Sequence, residues 1–364
     1  LSLLASISVE AASREVTMGV WIRPDEMEGK DPQQICQALN NYGVGAIFML
    51  VPMPPTSEEM EMLSRLRSSL PRDIQVHAWL TVYSNARYLE AHPEEAFQSI
   101  NGSVVRGWVN PASLAYRSKL VGWVQQIISD LQPSGIFLDY LYVPFGPFDN
   151  ETLGAFSSFV GLNISASVLT GSEYLLGKFL EWRNGRILDT VKAVKRVIDA
   201  AGLKLSIFIR MVEESERLAS GQDVAELSRL ADFLVPNSYH ALVGRDAVWV
   251  GSCVQALKAE GAKSVWAGIQ GYDVTPIEVN RAVASAVKSG ADGVVLFRFG
   301  TMTAQHWEQA RLALSRTSRI YLWVASGIVF ATAVLAVQVA RNRKGRLGAA
   351  AGRAERRRKR ARRR

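Results

Sequence analysis

Between residues 17 and 316 the chain repeats one pattern eight times: a short β-branched or aromatic run, then an amphipathic stretch. Parallel strands need such alternation, because each must return over a crossover before the next can pair in the same direction. The strand runs are TMGVWIRP (17–24), GAIFMLVP (45–52), IQVHAWLTV (74–82), GIFLDYLYV (135–143), LKLSIFIRM (203–211), FLVPNSYH (233–240), SVWAGIQGYD (264–273) and GVVLFRFG (293–300). The helix candidates that follow include PQQICQALNNYG, EEMEMLSRLRSSL, LAYRSKLVGWVQQIISDL, EWRNGRILDTVKAVKRVIDAAG, VAELSRLADF, VWVGSCVQALKAEGA, IEVNRAVASAVKSGA and AQHWEQARLALSR. Gly43, Gly202, Gly261 and Gly290 stand just before a strand, where a left-handed C-cap is expected. Eight units in about 300 residues point to a (β/α)8 TIM barrel. An open doubly wound sheet usually has fewer strands and a glycine-rich loop after the first. The sequence carries no such loop, and no P-loop, GxSxG elbow, HExxH or paired CxxC.

The barrel is expected to occupy residues 15–316, and the ends have a different character. Ile320–Ala340 contains no charged residue, which is long enough to cross a hydrocarbon core of about 30 Å as a single transmembrane helix. A buried helix of the globular domain is the other reading of that run. Residues 341–364 form a basic tail, expected to be disordered, with thirteen Lys and Arg against one acid, Glu355. The formal net charge of +8 therefore belongs to the tail, because residues 1–340 hold 29 basic and 33 acidic side chains. This distribution argues against a nucleic-acid partner. By the positive-inside rule it orients a single-pass protein of the cell membrane, with the barrel outside and the tail cytoplasmic, touching anionic lipid headgroups. Residues 1–14 resemble the remnant of a secretory signal peptide, although no Met or basic n-region precedes the apolar run; an N-terminal strand or disordered lead is the alternative. In an exported chain Asn101, Asn150 and Asn163 would be glycan acceptors. The two cysteines, Cys36 and Cys253, fall on separate helix patterns and are expected to be buried thiols.

In a barrel, reactive groups collect at the C-terminal ends of strands and in the loops that follow. The long connections 83–112 and 144–180 are therefore expected to wall the site. Asp139 interrupts an otherwise apolar strand, where an unpaired carboxylate would cost several kcal/mol of desolvation. It is expected to be catalytic, with an ion pair to Arg23, Arg210 or Arg298 as the structural alternative.

Four segments resemble one family. Gly-Ile-Phe-Leu-Asp-Tyr-Leu-Tyr-Val-Pro (135–144) is similar to a "DGIHLDYxxYP" strand of the glycosyl-hydrolase-like barrels of GHL10 type. Trp108-Val-Asn-Pro-Ala-Ser resembles their "W-x-NP" segment, Phe233-Leu-Val-Pro-Asn-Ser-Tyr-His their sixth strand, and Val294-Val-Leu-Phe-Arg-Phe-Gly their "GxxxFSYG" ending. The resemblance covers about residues 17–312 and implies a TIM barrel that acts on polysaccharide or glycan, with Asp139 as a catalytic carboxylate.

Glycoside cleavage normally takes two carboxyl groups, a proton donor and either a nucleophile or a base. The candidates for the second are Asp273 and Glu213, followed by Glu214, Asp149 and Glu151; the sixth strand offers none. If none is in place, substrate-assisted hydrolysis through an N-acetyl group, or an inactive glycan-binding or cell-surface interaction barrel, becomes the better account. Arg23, Tyr140, Tyr142, Arg210, Asn237, Tyr239, His240, Gln270, Tyr272 and Arg298 are the candidate substrate contacts. Tyr142, Tyr239 and Tyr272 are expected to be exposed for stacking on sugar, and the three arginines would suit an anionic glycan. His77 and His240 lack a third ligand at useful spacing, so neither a metal nor a cofactor is expected.

Overall fold

Eight parallel strands close into a barrel: β1 (Thr17–Ile22), β2 (Ala46–Leu50), β3 (Gln75–Thr81), β6 (Gly135–Asp139), β7 (Lys204–Ile209), β8 (Phe233–Ser238), β9 (Trp266–Gln270) and β10 (Gly293–Phe297). β10 pairs back onto β1, with Thr17 opposite Gly293, which removes any free edge. Between β3 and β6 an antiparallel hairpin, β4 (Ala96–Gln98) and β5 (Val104–Val109), forms a separate two-stranded sheet bridged to the chain after β3 at Ser84–Trp108. The computed structural model describes residues 16–27, 29–211 and 214–315. Residues 1–14, Ile320–Ala340 and 341–364, on which the leader, membrane span and tail were read, lie outside the described residues, as does Glu213.

Strand alternation divides the side chains into two sets. Met18, Val20 and Ile22 pack outward with the helices, whereas Trp21 joins Phe48, Trp79, Phe137, Phe208, Phe233, Tyr239 and Trp266 inside. Barrel interiors are commonly layered with branched aliphatics, and this one is filled with rings. Such rings fit because glycines lie beside them. A Cβ built on Gly293 would come within 2.3 Å of the Trp266 ring, and one on Gly135 within 2.6 Å of His77 Nδ1.

The crossover helices start and stop where local chemistry dictates. In α1 (Pro32–Tyr42) the Asp31 carboxylate accepts from Gln33 N–H at 3.0 Å, Pro32 fills a position that needs no donor, and Gly43 ends the helix at φ 74°. α2 (Ser57–Ser69) opens on a Thr56–Glu59 capping box. Gly202, Gly261 and Gly290 also have positive φ, as expected for C-caps. The remaining helices on the described chain are α3 (Ala86–Ala91), α4 (Leu114–Leu131), α5 (Asn150–Val160), α6 (Ala166–Thr170), α7 (Glu173–Ala200), α8 (Glu214–Ser220), α9 (Val224–Leu230), α10 (Trp249–Ala259), α11 (Pro276–Lys288) and a last one over 304–315. Among the described residues, no helix is long and apolar enough to cross a membrane. Cys36 and Cys253 are buried and unpaired.

The fourth barrel strand is shorter than its apolar run. It stops at Asp139, where Tyr140 takes a left-handed φ of 52° while its carbonyl still accepts from Tyr83 N–H at 3.2 Å. The 144–180 connection holds its own small core around Phe148, Phe156 and Phe179, closed by Trp182 of the following helix.

Candidate active site

Asp139 is the last residue of β6 and is only 6% exposed. The Trp79 indole Nε1 donates to its Oδ2 at 3.0 Å, and the Tyr140 backbone N–H donates to its Oδ1 at 2.7 Å. Among the described residues no cation forms an ion pair with it, so the alternative of a structural pair with Arg23, Arg210 or Arg298 fails. Burial pushes its pKa up to about 7, outweighing the two N–H donors that favour the charged form. A carboxyl group that stays protonated close to neutrality can deliver a proton.

Aromatic rings surround this carboxyl. The charge of Asp139 raises the pKa of Tyr140, Tyr142 and Tyr239, after the larger effect of burial, which places all three phenols in its electrostatic reach. Tyr140 and Tyr142 stack with centroids 5.5 Å apart, and Trp108 from β5 approaches them at 5.9 and 5.6 Å. The hairpin thus walls the site, as the 83–112 connection was expected to do.

The tyrosines differ from expectation in exposure. Tyr142 and Tyr272 are half-buried, and Tyr239 is buried at 8%. Tyr239 lies stacked on Phe297 at 5.4 Å with Trp21 edge-on at 6.4 Å, so the barrel interior covers its faces.

The remaining candidates separate into those near the carboxyl and those engaged elsewhere. Asn237 follows the inward alternation of Phe233 and Val235, and its Oδ1 is buried without a partner among the described residues. Gln270 is fixed by structure: its Oε1 accepts from Leu242 N–H at 3.2 Å and its Nε2 donates to Tyr272 O at 2.9 Å. His240 is 1% exposed, and the charges acting on it are Glu278 and Asp246, not Asp139. Arg23 Nε pairs with Asp25 at 2.9 Å and Arg298 Nε with Glu26 at 3.3 Å. Arg210 lies over the Tyr142 ring at 4.8 Å.

No second carboxylate among the described residues shares a hydrogen bond with Asp139. Asp273 is exposed beyond β9, with φ 50°. Asp149 caps α5 and holds Asn110 and Thr152, and Glu151 is exposed on the same helix. Glu214 is exposed at the start of α8.

As for metals, His77 lies buried at the other end of the barrel, stacked on Phe48 at 4.9 Å, and burial lowers its pKa to about 3. One described trio, His92, Glu94 and Glu95, brings ligand atoms within 4.8 Å of one another. Glu95 already accepts hydrogen bonds from Tyr88 and Ser113, so its position has a structural explanation.

Several residues that matter here had no functional reading in the sequence. Trp79, one ring of an apolar strand run in the sequence, is a donor to Asp139. Asp25 and Glu26 occupy two of the arginines, and Gln222 fixes the backbone of the third. The hairpin had a visible signal: Asn101-Gly102 sits at its turn, with Gly102 at φ 75°, and this dipeptide is a strong hairpin marker.

Fold and site together define a (β/α)8 barrel with a buried, protonatable carboxyl at the C-terminal end of its fourth strand, ringed by aromatics. Solved structures with this fold include glycosidases. A chitinase from Chromobacterium violaceum ATCC 12472 matches 82% of this chain and 99% of its own at 13% identity, TM-score 0.52. A class V chitinase from Pseudomonas fluorescens Pf-5 matches at 12% identity over 82% and 99%, TM-score 0.55. Alpha-L-fucosidase isoenzyme 2 from Paenibacillus thiaminolyticus gives a TM-score of 0.61 at 11% identity, over 85% of this chain and 50% of that one. At these identities the likeness is one of fold. No family model and no curated protein matches the chain, so the fold agrees with the resemblance noted in the sequence while the GHL10 group is not identified.

Proposed function

We propose that the protein is a glycoside hydrolase in which Asp139 is the proton donor. The observation that carries this reading is the buried Asp139 carboxyl, with its pKa pushed up to about 7, at the mouth of a barrel shared with chitinases and a fucosidase. The protonated carboxyl would give its proton to the glycosidic oxygen as the bond to C1 breaks, and the resulting carboxylate would then take a proton from the attacking water. No carboxylate among the described residues acts electrostatically on Asp139, which favours substrate assistance over a second protein carboxylate. In that route the carbonyl oxygen of a 2-acetamido group attacks C1, and the cyclic intermediate is opened by water with net retention. The partnerless Asn237 Oδ1 and the Tyr239 phenol would help hold that group. For location, we infer a barrel held outside the cell membrane by Ile320–Ala340, supported by an uncharged run followed directly by a tail with thirteen Lys and Arg.

The test is hydrolysis of a polysaccharide panel by the full chain beside its Asp139→Asn variant. A loss of at least about a thousandfold in kcat is expected for a proton donor whose leaving group is poor. Hydrolysis unchanged in the variant removes the assignment, and binding without hydrolysis by either protein favours the inactive glycan-binding reading. Glu213→Gln and Asp273→Asn are expected to stay within a few-fold of wild type. A loss as deep as that of Asp139→Asn in either would identify a second protein carboxyl and set aside substrate assistance.

A further inference from the structure

Of the three arginines at the barrel mouth, two pair with the acids that follow β1. Arg23 Nε lies 2.9 Å from Asp25. Arg298 Nε lies 3.3 Å from Glu26, whose side chain is 5% exposed and also accepts from the backbone N–H groups of Arg23 and Gly300. Arg210 is different. Its backbone N–H donates to Gln222 Oε1 at 2.9 Å while Gln222 Nε2 donates to Phe208 O at 2.8 Å, so a fully buried amide fixes the end of β7. Its guanidinium rests on the Tyr142 ring, which in turn stacks on Tyr140 and lies within electrostatic reach of Asp139.

Among the described residues, no acceptor takes a hydrogen bond from this guanidinium; its carboxylate contact is Glu216 Oε1 at 3.5 Å. The Glu216 side chain is 60% exposed, and a pair of that length and exposure contributes little. A guanidinium braced on an aromatic face and loosely paired is ready to exchange an exposed partner for a better one. Its planar fork matches a carboxylate through two parallel N–H donors, which neutral hydroxyls cannot reproduce.

We propose that Arg210 is a specificity-determining residue that receives a carboxylate of the glycan, so that the substrate class is a polysaccharide carrying a uronate beside the bond cleaved at Asp139. This rests on the glycosidase reading and adds to it the charge of the substrate. A glycan that also carries an acetamido group satisfies both halves of the site.

The test measures calorimetric binding to the full chain carrying Asp139→Asn, which prevents turnover. The probes are a hyaluronan hexasaccharide, which alternates an acetamido sugar with a uronate, and the same oligosaccharide with its carboxyl groups reduced to alcohols. The acidic form is expected to bind about tenfold more tightly. Adding Arg210→Met removes that preference by weakening the acidic form alone, and adding Glu216→Gln strengthens it by freeing the guanidinium. Equal affinity for the two probes, no binding of either, or an Arg210→Met variant that weakens both alike overturns the proposal. If Arg210→Met does not fold, Glu216→Gln decides: tighter binding of the acidic probe alone supports the proposal and unchanged binding overturns it. The two readings fail separately. Wild-type protein that prefers the acidic probe and hydrolyses neither form keeps this inference and loses the hydrolase. Hydrolysis of both forms at equal kcat/KM, abolished by Asp139→Asn, does the reverse.

Discussion

The indole of Trp79 reaches across from β3 to the adjacent β6 and donates to Asp139 Oδ2 at 3.0 Å, in a layer where Thr81 is paired with Asp139 in register. Two effects oppose each other on this carboxyl. Burial favours the neutral acid, and the Tyr140 and Trp79 N–H groups favour the anion, which leaves a group that titrates near neutrality. Without those donors the site would hold an acid too weak to release its proton readily.

Trp79→Phe keeps the ring and removes the donor. The Asp139 titration, followed by carboxyl-carbon NMR, is expected to move above the wild-type value of about 7, because a bond to the charged form is lost. The alkaline limb of any glycosidase activity moves up with it. The unpaired oxygen costs about 1–3 kcal/mol in denaturant unfolding. A titration unchanged or lowered in the variant would show that the indole does not tune this acid.

Asp139 also sets a pH dependence of stability. Its folded pKa of about 7 lies above the 3.8 of a solvated aspartate, so the folded state holds the proton more tightly than the unfolded chain. Its contribution to stability is therefore largest below the unfolded value, falls as pH rises from about 4 to about 7, and levels off above. The span is on the order of 4 kcal/mol. Asp139→Asn, which cannot ionise, is expected to gain stability relative to wild type at pH 8 compared with pH 4. Parallel curves for the two proteins across this window would contradict the buried-acid assignment.

Arg183 is fully buried and donates to Gly146 O at 3.0 Å, to Ala219 O at 2.6 Å and to Asn184 Oδ1. It joins the loop after β6, which carries Tyr142, to the end of α8, next to Gln222. Burial lowers its pKa to about 10, so it remains charged at neutral pH. Arg183→Met should cost about 2–4 kcal/mol by leaving those carbonyls without donors. Arg183→Lys rescues little, since one ammonium cannot span acceptors that a planar fork reaches together. Full stability of the Met variant would show that the two loops hold without this bridge.

Gly293→Ala tests the ring-filled interior. The added methyl carbon would come within 2.3 Å of the Trp266 ring, which stacks on Phe233 at 4.7 Å and so has little room to move. A loss of about 1–3 kcal/mol is expected from overpacking, read as a lowered Tm. An unchanged Tm would mean the interior can make room.

The barrel was legible because its cause is periodic. Strand runs that alternate with amphipathic helices allow few closures, and all eight runs became barrel strands. Asp139 was legible for a related reason: a carboxylate amid Ile136, Phe137 and Leu138 has to be accounted for. Its partners were not. Trp79 precedes it by sixty residues and meets it only because β3 and β6 become neighbours across the inserted hairpin. The arginines looked alike in the sequence, yet Glu26 reaches both Arg298 and Gly300, more than two hundred residues away, once β10 closes onto β1.

By itself, then, the sequence determined the architecture, the strand that carries the acid, and the location of the positive charge in the last 24 residues. These are properties of local pattern and composition, which exist before the chain folds. The tertiary structure decided that Asp139 is held by an indole and a backbone N–H, that Tyr239 is covered by rings, and that Arg210 is braced on Tyr142 with a weak, exposed partner. Those outcomes depend on burial and on contacts between distant segments, and closing the barrel is what creates both.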